Sequence, residues 1–483
     1  MRPFCRALRR VRAVWVVGLT TISASAQPAD TTVFSAADFY AVVAQYHPLA
    51  RQAALLSDEA RQGVVQARGA FDPKLFSYYD KKQFGNTLYY DKWQSGVAVP
   101  ILPGGVDLKV THDRNTGAYL NAEDRITTSG LTAVGISVPV GQGLLIDARR
   151  NALRQAQLAV SLADADRLKL INKTLFDAAK TYWEWYFADR QYRLVSEGYQ
   201  LADRRFQAIR QRARLGDAAP IDTTEALITV QDRLVGLRQA VVDRQNARLR
   251  LTAFLWNEQG EAVDIPATVV PQASVAGGFD EATRQRLLDR ATGQHPDLLK
   301  LTTKRQQLAI EERFRRSLLQ PQLNVGASLL SGMAFPGFGS DNAGYYGFRP
   351  DNHKLTLDVV FPLFLRKERG KLREVQIKSR QLDLDRQQTA RDITIDIQSI
   401  FNDIQMLDGQ LVVQQQIVAN QRALVRAEQQ KFELGESSLF LVNARETKLI
   451  DLGVKLEELR TKYQKAAAAL WYAAGTNQTA AGL

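Results

Sequence analysis

Two pairs of landmarks recur in this chain at one spacing. His47-Pro48-Leu49 returns as His295-Pro296-Asp297-Leu298, and Asp72-Pro73-Lys74-Leu75 returns as Gln320-Pro321-Gln322-Leu323, each prolyl residue displaced by 248 positions. Further on, Val138-Pro139-Val140 matches Phe361-Pro362-Leu363 at a displacement of 223, and Arg214-Leu215-Gly216-Asp217 matches Glu433-Leu434-Gly435-Glu436 at 219. One supersecondary unit is therefore used twice, and an internal repeat constrains architecture more than any local motif. The drop in displacement from 248 to 223 means that the first copy carries about 25 extra residues between Asp72-Pro73 and Val138-Pro139.

The spacing predicts a first unit over 27–258, a linker over 259–279, a second unit over 280–475 and a tail over 476–483. Within each unit a helix (35–70; 280–318) ends before the proline that opens a strand region (74–140; 323–362). A long proline-free stretch rich in Gln, Arg, Leu and Ala follows (149–214; 366–432), then a glycine stop and a last helix (222–257; 440–474). At 1.5 Å per residue the long helices reach about 100 Å, close to two of the shorter ones laid end to end. A long helix then runs antiparallel to two shorter coaxial ones and turns back at tips over 215–221 and 433–439. Ile397, Ile400, Ile404, Leu407 and Leu411 step by three and four, the rhythm of knobs-into-holes packing. Tyr182-Trp183-Glu184-Trp185-Tyr186, mid-helix, reads as packing against neighbouring helices rather than as a ligand platform.

Residues 1–26 read as a signal peptide for export: Arg2, Arg6, Arg9, Arg10 and Arg12 without an acid, an apolar run from Val11 to Ile22, and Ala24-Ser25-Ala26 as a cleavage site. General secretion fits it better than the twin-arginine route. Cys5, the only cysteine, sits inside this segment, so neither a lipoprotein anchor nor a disulfide framework is indicated. Removing the segment leaves 58 basic against 51 acidic groups, a modest +7 that reads as a solvated surface and not as a nucleic-acid-binding one. Past residue 26 no run of about 18 apolar residues occurs, so any membrane crossing is made by strands. Leu323, Val325, Ala327 and Leu329 alternate with polar or small residues, as do Leu355, Leu357, Val359 and Phe361; a half-buried sheet and a membrane strand share that period.

The doubled order of helix, strands, long helix, tip and helix, with the tip segments from Leu215 to Ala226 and from Phe432 to Ala444, resembles TolC-type outer-membrane efflux proteins over nearly the whole chain past the leader. The resemblance implies a mainly α fold with a membrane β-barrel portion. Long antiparallel coiled-coil helices form a periplasmic α-barrel, capped by a transmembrane β-barrel that a homotrimer shares, each protomer donating four strands. It implies an outer-membrane location with a long periplasmic extension, and docking at the tips to a periplasmic adaptor (membrane fusion) protein of an inner-membrane pump. Open strand edges are not tolerated in lipid, so a chain with few strands must assemble to close a pore. The longer first strand region departs from the pattern: Val106, Leu108 and Val110 alternate with Asp107, Lys109 and Thr111 after Pro103-Gly104-Gly105, which suggests an extra hairpin.

The resemblance places adaptor docking at Leu215, Gly216, Asp217, Leu434, Gly435 and Glu436, and a periplasmic gate at Asp222, with Glu225 one turn on along the same face. In a trimer each acid forms a ring of three like charges that favours cations. An ordinary helix-start role explains Asp222 equally well. The second copy departs, with Leu441 and Ala444 where acids occur in some members and Ser437 where a gate-locking Arg can stand.

Other chemistry is not indicated. The histidines at 47, 112, 295 and 353 have no metal-ligand spacing; Gly141-Gln142-Gly143 lacks the third glycine of a dinucleotide loop; no Walker or GxSxG sequence occurs. The expectation is a passive exit duct of a tripartite efflux or type I secretion system, with no catalytic residue, cofactor or resident metal. The alternative is an exported trimeric coiled-coil spacer or adhesin.

Overall fold

The computed structural model describes residues 32–126, 130–216, 219–272, 278–332 and 347–476. The expected leader at 1–26, the tip residue Asp217 and the last residues of the expected tail, 477–483, lie outside these.

Each half of the chain opens with a broken helix. The segments expected as single helices over 35–70 and 280–318 are instead α1 (Ala36–Tyr46) with α2 (Pro48–Arg68), and α5 (Glu281–Gln294) with α6 (Pro296–Ser317). The break falls on the histidine before proline, because a prolyl ring disfavours the helical region for its predecessor. His47 and His295 sit at φ −62°, with ψ 135° and 130°. Each proline takes the first helical position, where no backbone donor is required. The histidine Nδ1 accepts the N–H of Leu49 or Asp297 at 3.2 Å, capping the new helix.

The long helices are α3 (Ala148–Arg214) and α7 (Arg366–Glu433), and the returning helices are α4 (Pro220–Thr252) and α8 (Leu439–Ala473). Helix α3 packs along α2 and α4 in turn, as α7 does along α6 and α8, while α3 also meets α6 and α8. Helix α4 stops at Thr252, short of the expected 257. The chain turns there into a bridge between Trp256 and Ala262, closed by Asn257 Oδ1 accepting the Glu261 N–H at 2.8 Å. The expected linker contains β6 (Val270–Pro271), which pairs in parallel with β1 (Val33–Phe34).

Tyr182, Trp185, Tyr186 and Phe39 lie fully inside a core that also takes Leu175, Leu251 and Leu255. Tyr182 stacks on Phe39 with centroids 5.6 Å apart, donates its hydroxyl to Phe34 O at 2.8 Å and accepts the Gln272 N–H at 3.2 Å. The aromatic run thus packs helices and ties both short strands to α3. A second core holds Ile397, Phe401, Ile404, Leu407 and Leu411 against Leu456, Leu459 and Tyr463, the seam read from the heptad spacing.

The remaining strands form one antiparallel sheet: β2 (Lys74–Phe84), β3 (Thr87–Pro100), β4 (Asp107–Thr116), β5 (Leu131–Gly141), β7 (Gln322–Ser331) and β8 (His353–Val360), neighbours in that order. Among the described residues the first half supplies four strands of this sheet and the second two. Pro103–Gly105 forms the short turn between β3 and β4, and Gly85-Asn86 the tight turn between β2 and β3, both residues at positive φ as a type I′ hairpin requires. No helix among the described residues is long and apolar enough to cross a membrane.

Candidate functional site: helical tips, a buried clasp and an apolar sheet face

The two tips share one construction. The long helix ends at Leu215 or Leu434 and the next residue, Gly216 or Gly435, takes a left-handed conformation with φ of +84° or +80°. A Cβ on either would meet nothing within 4 Å, so it is the backbone angle and not space that selects glycine. At the second tip Glu436 N–H donates to Lys431 O at 2.9 Å and Gly435 N–H to Phe432 O at 3.1 Å, the paired bonds of a Schellman stop. Leu215 and Leu434 are left 74 % and 75 % exposed, and Ile221 and Phe440, at the start of the returning helices, are exposed as well.

Asp222 lies in the first turn of α4, half-buried, where a negative charge meets the positive end of the helix dipole. The N-cap is Ala219, which has no side chain able to cap, so Asp222 is not the capping residue. Glu225 shares its face one turn on, and its Oε1 is buried without a hydrogen bond among the described residues, as is Thr223 Oγ1. At the second tip Ser438 caps α8 through Leu441 N–H, and Ser437 Oγ donates to Glu428 Oε1 at 2.5 Å. Ser437, the position where a locking arginine can stand, is thereby engaged within its own hairpin.

A charged cluster joins all four long and returning helices. Glu446 of α8, 3 % exposed, accepts from Arg205 of α3 through both carboxylate oxygens, one of them at 2.8 Å, and from Arg233 of α4 at 3.3 Å. Gln429 of α7 donates to Glu446 Oε1 at 2.8 Å. Arg205 also donates to Asn443 Oδ1 at 3.1 Å, Asn443 Nδ2 donates to Thr229 Oγ1 at 3.2 Å, and Arg233 donates to Gly198 O at 2.7 Å. Burial by itself would raise the Glu446 carboxyl, but the hydrogen bonds and charge of Arg205, with Gln429 and Arg233, outweigh it and hold it below its ordinary value. Burial lowers the Arg233 guanidinium against the pull of Glu446. Gly198 has no side chain because α8 passes over it: a Cβ there would collide with Ile450. This clasp was missed in the sequence. Its signal was Glu446 on the 3–4 seam that runs through Leu439, Val442, Leu449 and Gly453, a place where an unpaired acid is costly.

The sheet is two-faced. Cross-strand partners place Leu75, Val97, Val110, Val134 and Leu329 in one row and Val99, Leu108, Ile136, Ala327 and Leu355 in the next. Two further rows are Val138, Val325, Leu357 and Val140, Leu323, Val359. The opposite face carries Lys74, Lys109, Ser328 and Lys354 in one register row. Tyr79 and Trp93 pair at the border of the apolar band, as aromatic residues do at a membrane interface. Exposures of 83 % at Leu75 and 65 % at Leu357 show apolar side chains with no protein over them.

Residues 287–476 match the family model described as outer membrane efflux protein. Among curated proteins compared by sequence, none matches the chain. Among solved structures, it is similar to the CmeC outer membrane channel of Campylobacter jejuni, at 11 % identity and a TM-score of 0.62 over 97 % of this chain and 95 % of that one. It is likewise similar to the outer membrane protein VceC of Vibrio cholerae (13 %, 0.64, covering 92 % and 96 %). The open-state MtrE outer membrane channel of Neisseria gonorrhoeae gives 13 % and 0.63, covering 91 % and 89 %. The same fold thus runs from end to end of the chain, and within it residues 287–476 carry the sequence pattern of the outer membrane efflux protein family.

Proposed function

We propose that three copies of this chain form the exit duct of a tripartite efflux or type I secretion system, passively conducting substrate from the periplasm to the outside. The observation that carries the reading is the apolar sheet face, continuous over six strands with open edges, joined directly to helical hairpins of about 100 Å. A spacer or adhesin has no use for such a face. Assembly is supported by a second seam on α4: Ile228, Val235, Val242 and Leu249 recur every seven residues, all exposed, while Ala226, Val230, Ala240 and Ala247 on the same helix are buried. A heptad stripe with nothing over it fits a helix from another copy.

The exposed Leu215 and Leu434 at the glycine turns, with Gly216, Gly435, Glu436 and Asp217, are the proposed docking surface for a periplasmic adaptor protein, which in turn meets an inner-membrane pump. Asp222 and Glu225 are the proposed gate. The Glu225 Oε1 supports that role, since a buried carboxylate oxygen without a hydrogen-bond partner among the described residues is suited to a group from a neighbouring copy or to a passing cation. The protein works as a conduit, without catalytic chemistry.

The test is single-channel conductance in planar bilayers of wild type and of Asp222→Ala with Glu225→Ala. Discrete steps whose cation selectivity falls in the double variant support duct and gate together. Unchanged steps retire the gate residues, and no insertion from folded protein returns the spacer.

A further inference from the structure

Resting on the duct reading, we infer that this protein's barrel is built from six strands per chain, so that three copies close as eighteen, with β2 of one copy pairing along β8 of the next. The β2–β3 hairpin is an integral part of the wall, not a loop folded over it. Its apolar side chains Leu75, Val97 and Val99 continue, without change of face, the rows of β4, β5, β7 and β8. A one-residue slip anywhere along the sheet would have turned them to the polar side. Hairpins also preserve closure. With all neighbours antiparallel and an even number of strands, β2 and β8 run in opposite senses, so the β8 edge of one copy meets the β2 edge of the next as another antiparallel pair. Both edges carry unpaired backbone donors and acceptors, which hydrocarbon does not tolerate, and only a second copy of the same sheet offers the complementary edge on both sides. Since barrel diameter grows roughly in proportion to strand number, eighteen strands give a bore about one and a half times that of a barrel with four per chain.

The edge pairing is read by cysteine cross-linking in a Cys5→Ser background, where no other cysteine remains. Leu75→Cys is combined in turn with Leu355→Cys, Leu357→Cys and Val359→Cys, all on the apolar face, so that the three pairs scan the register. Directly opposed antiparallel residues lie within disulfide reach. Val110→Cys with Val134→Cys, partners inside one sheet, reports that the sheet itself has formed. The expected result is that one of the three pairs gives a ladder of covalent products ending at three chains. Cross-links from Val110→Cys to Leu357→Cys instead would make β4 the edge and overturn the six-strand wall while leaving a four-strand duct standing. The absence of any inter-chain product, with the internal control formed and channel steps still recorded, would also overturn it. Loss of the channel steps in the uncross-linked protein is the separate failure, that of the duct reading.

Discussion

The two halves of the chain are built alike where backbone chemistry rules and differ where side chains meet across the fold. Each half breaks its opening helix at a His-Pro pair, caps the next helix through the histidine Nδ1 and turns its hairpin on a left-handed glycine. Yet the first half supplies four strands and the second two, and the clasp is not doubled. At a displacement of 219 the counterparts of Arg205, Arg233 and Glu446 are Leu424, Leu452 and Leu227. Repetition conserves what local geometry demands. An antiparallel sheet accepts an added hairpin because two strands restore the original edge direction, and a charged cluster is needed only once because it joins the halves to each other.

That asymmetry is broken most severely at Glu446. Glu446→Ala leaves Arg205 and Arg233 at a buried site without their counter-charge and is expected to cost about 3–5 kcal/mol. Leu227→Ala, at the matching and exposed place, should change stability by about 0.5 kcal/mol or less. Urea unfolding followed by helical circular dichroism separates them, and equal midpoints would mean that the clasp holds nothing. Because the Glu446 carboxyl lies below its ordinary value, its contribution is complete above the ordinary carboxylate range and is lost only as pH falls through the lowered value, so mild acid leaves the clasp closed.

The strand asymmetry is sharpened by placing one arginine in each hairpin. Val97→Arg and Leu357→Arg, both on the apolar face, should each cost up to about 2–4 kcal/mol, depending on depth, if both hairpins face lipid. Assembly into membrane fractions is the readout. A harmless Val97→Arg beside a disruptive Leu357→Arg would put the first hairpin outside the bilayer and restore equality between the halves.

The smallest effect tests what the halves share. Burial lowers both His47 and His295 from the usual value of about 6.5. Above that value both are neutral, folded or unfolded, and stability does not depend on them. Below it the unfolded chain takes up protons that the folded chain refuses, so stability falls as pH drops toward the lowered values. Protonation also occupies the Nδ1 that accepts the cap bond. His47→Asn with His295→Asn keeps a capping acceptor that does not titrate and should flatten this loss, of about 1 kcal/mol per cap. An unchanged pH profile would assign the acid sensitivity elsewhere.

Much of this fold was legible from residues alone. The long helices appear within a residue of their expected limits, since a proline-free heptad stretch leaves little else to form, and β7 and β8 appear where the alternation placed them. The single helices expected over 35–70 and 280–318 ran through His47 and His295, although the proline that breaks them there was in view; the backbone restriction on the preceding residue outweighed the helical pattern on either side. At the tips, Leu215, Gly216, Leu434 and Gly435 fall where the doubled motif put them, and Asp222 falls in the first helical turn without being its cap. The clasp was not legible as a set. Arg205, Arg233 and Glu446 lie on three helices, and nothing in their local sequence says that they meet.

What the sequence by itself determined is therefore whatever acts over a few residues: helix period and length, strand alternation, the proline breaks and the glycine turns. Only the tertiary structure decided the order of six strands in one sheet, which of their faces is continuous, and which charges share a buried site. Those depend on hydrogen bonds and ion pairs between residues up to 241 positions apart, and a pattern read along the chain carries no term for partners that distant.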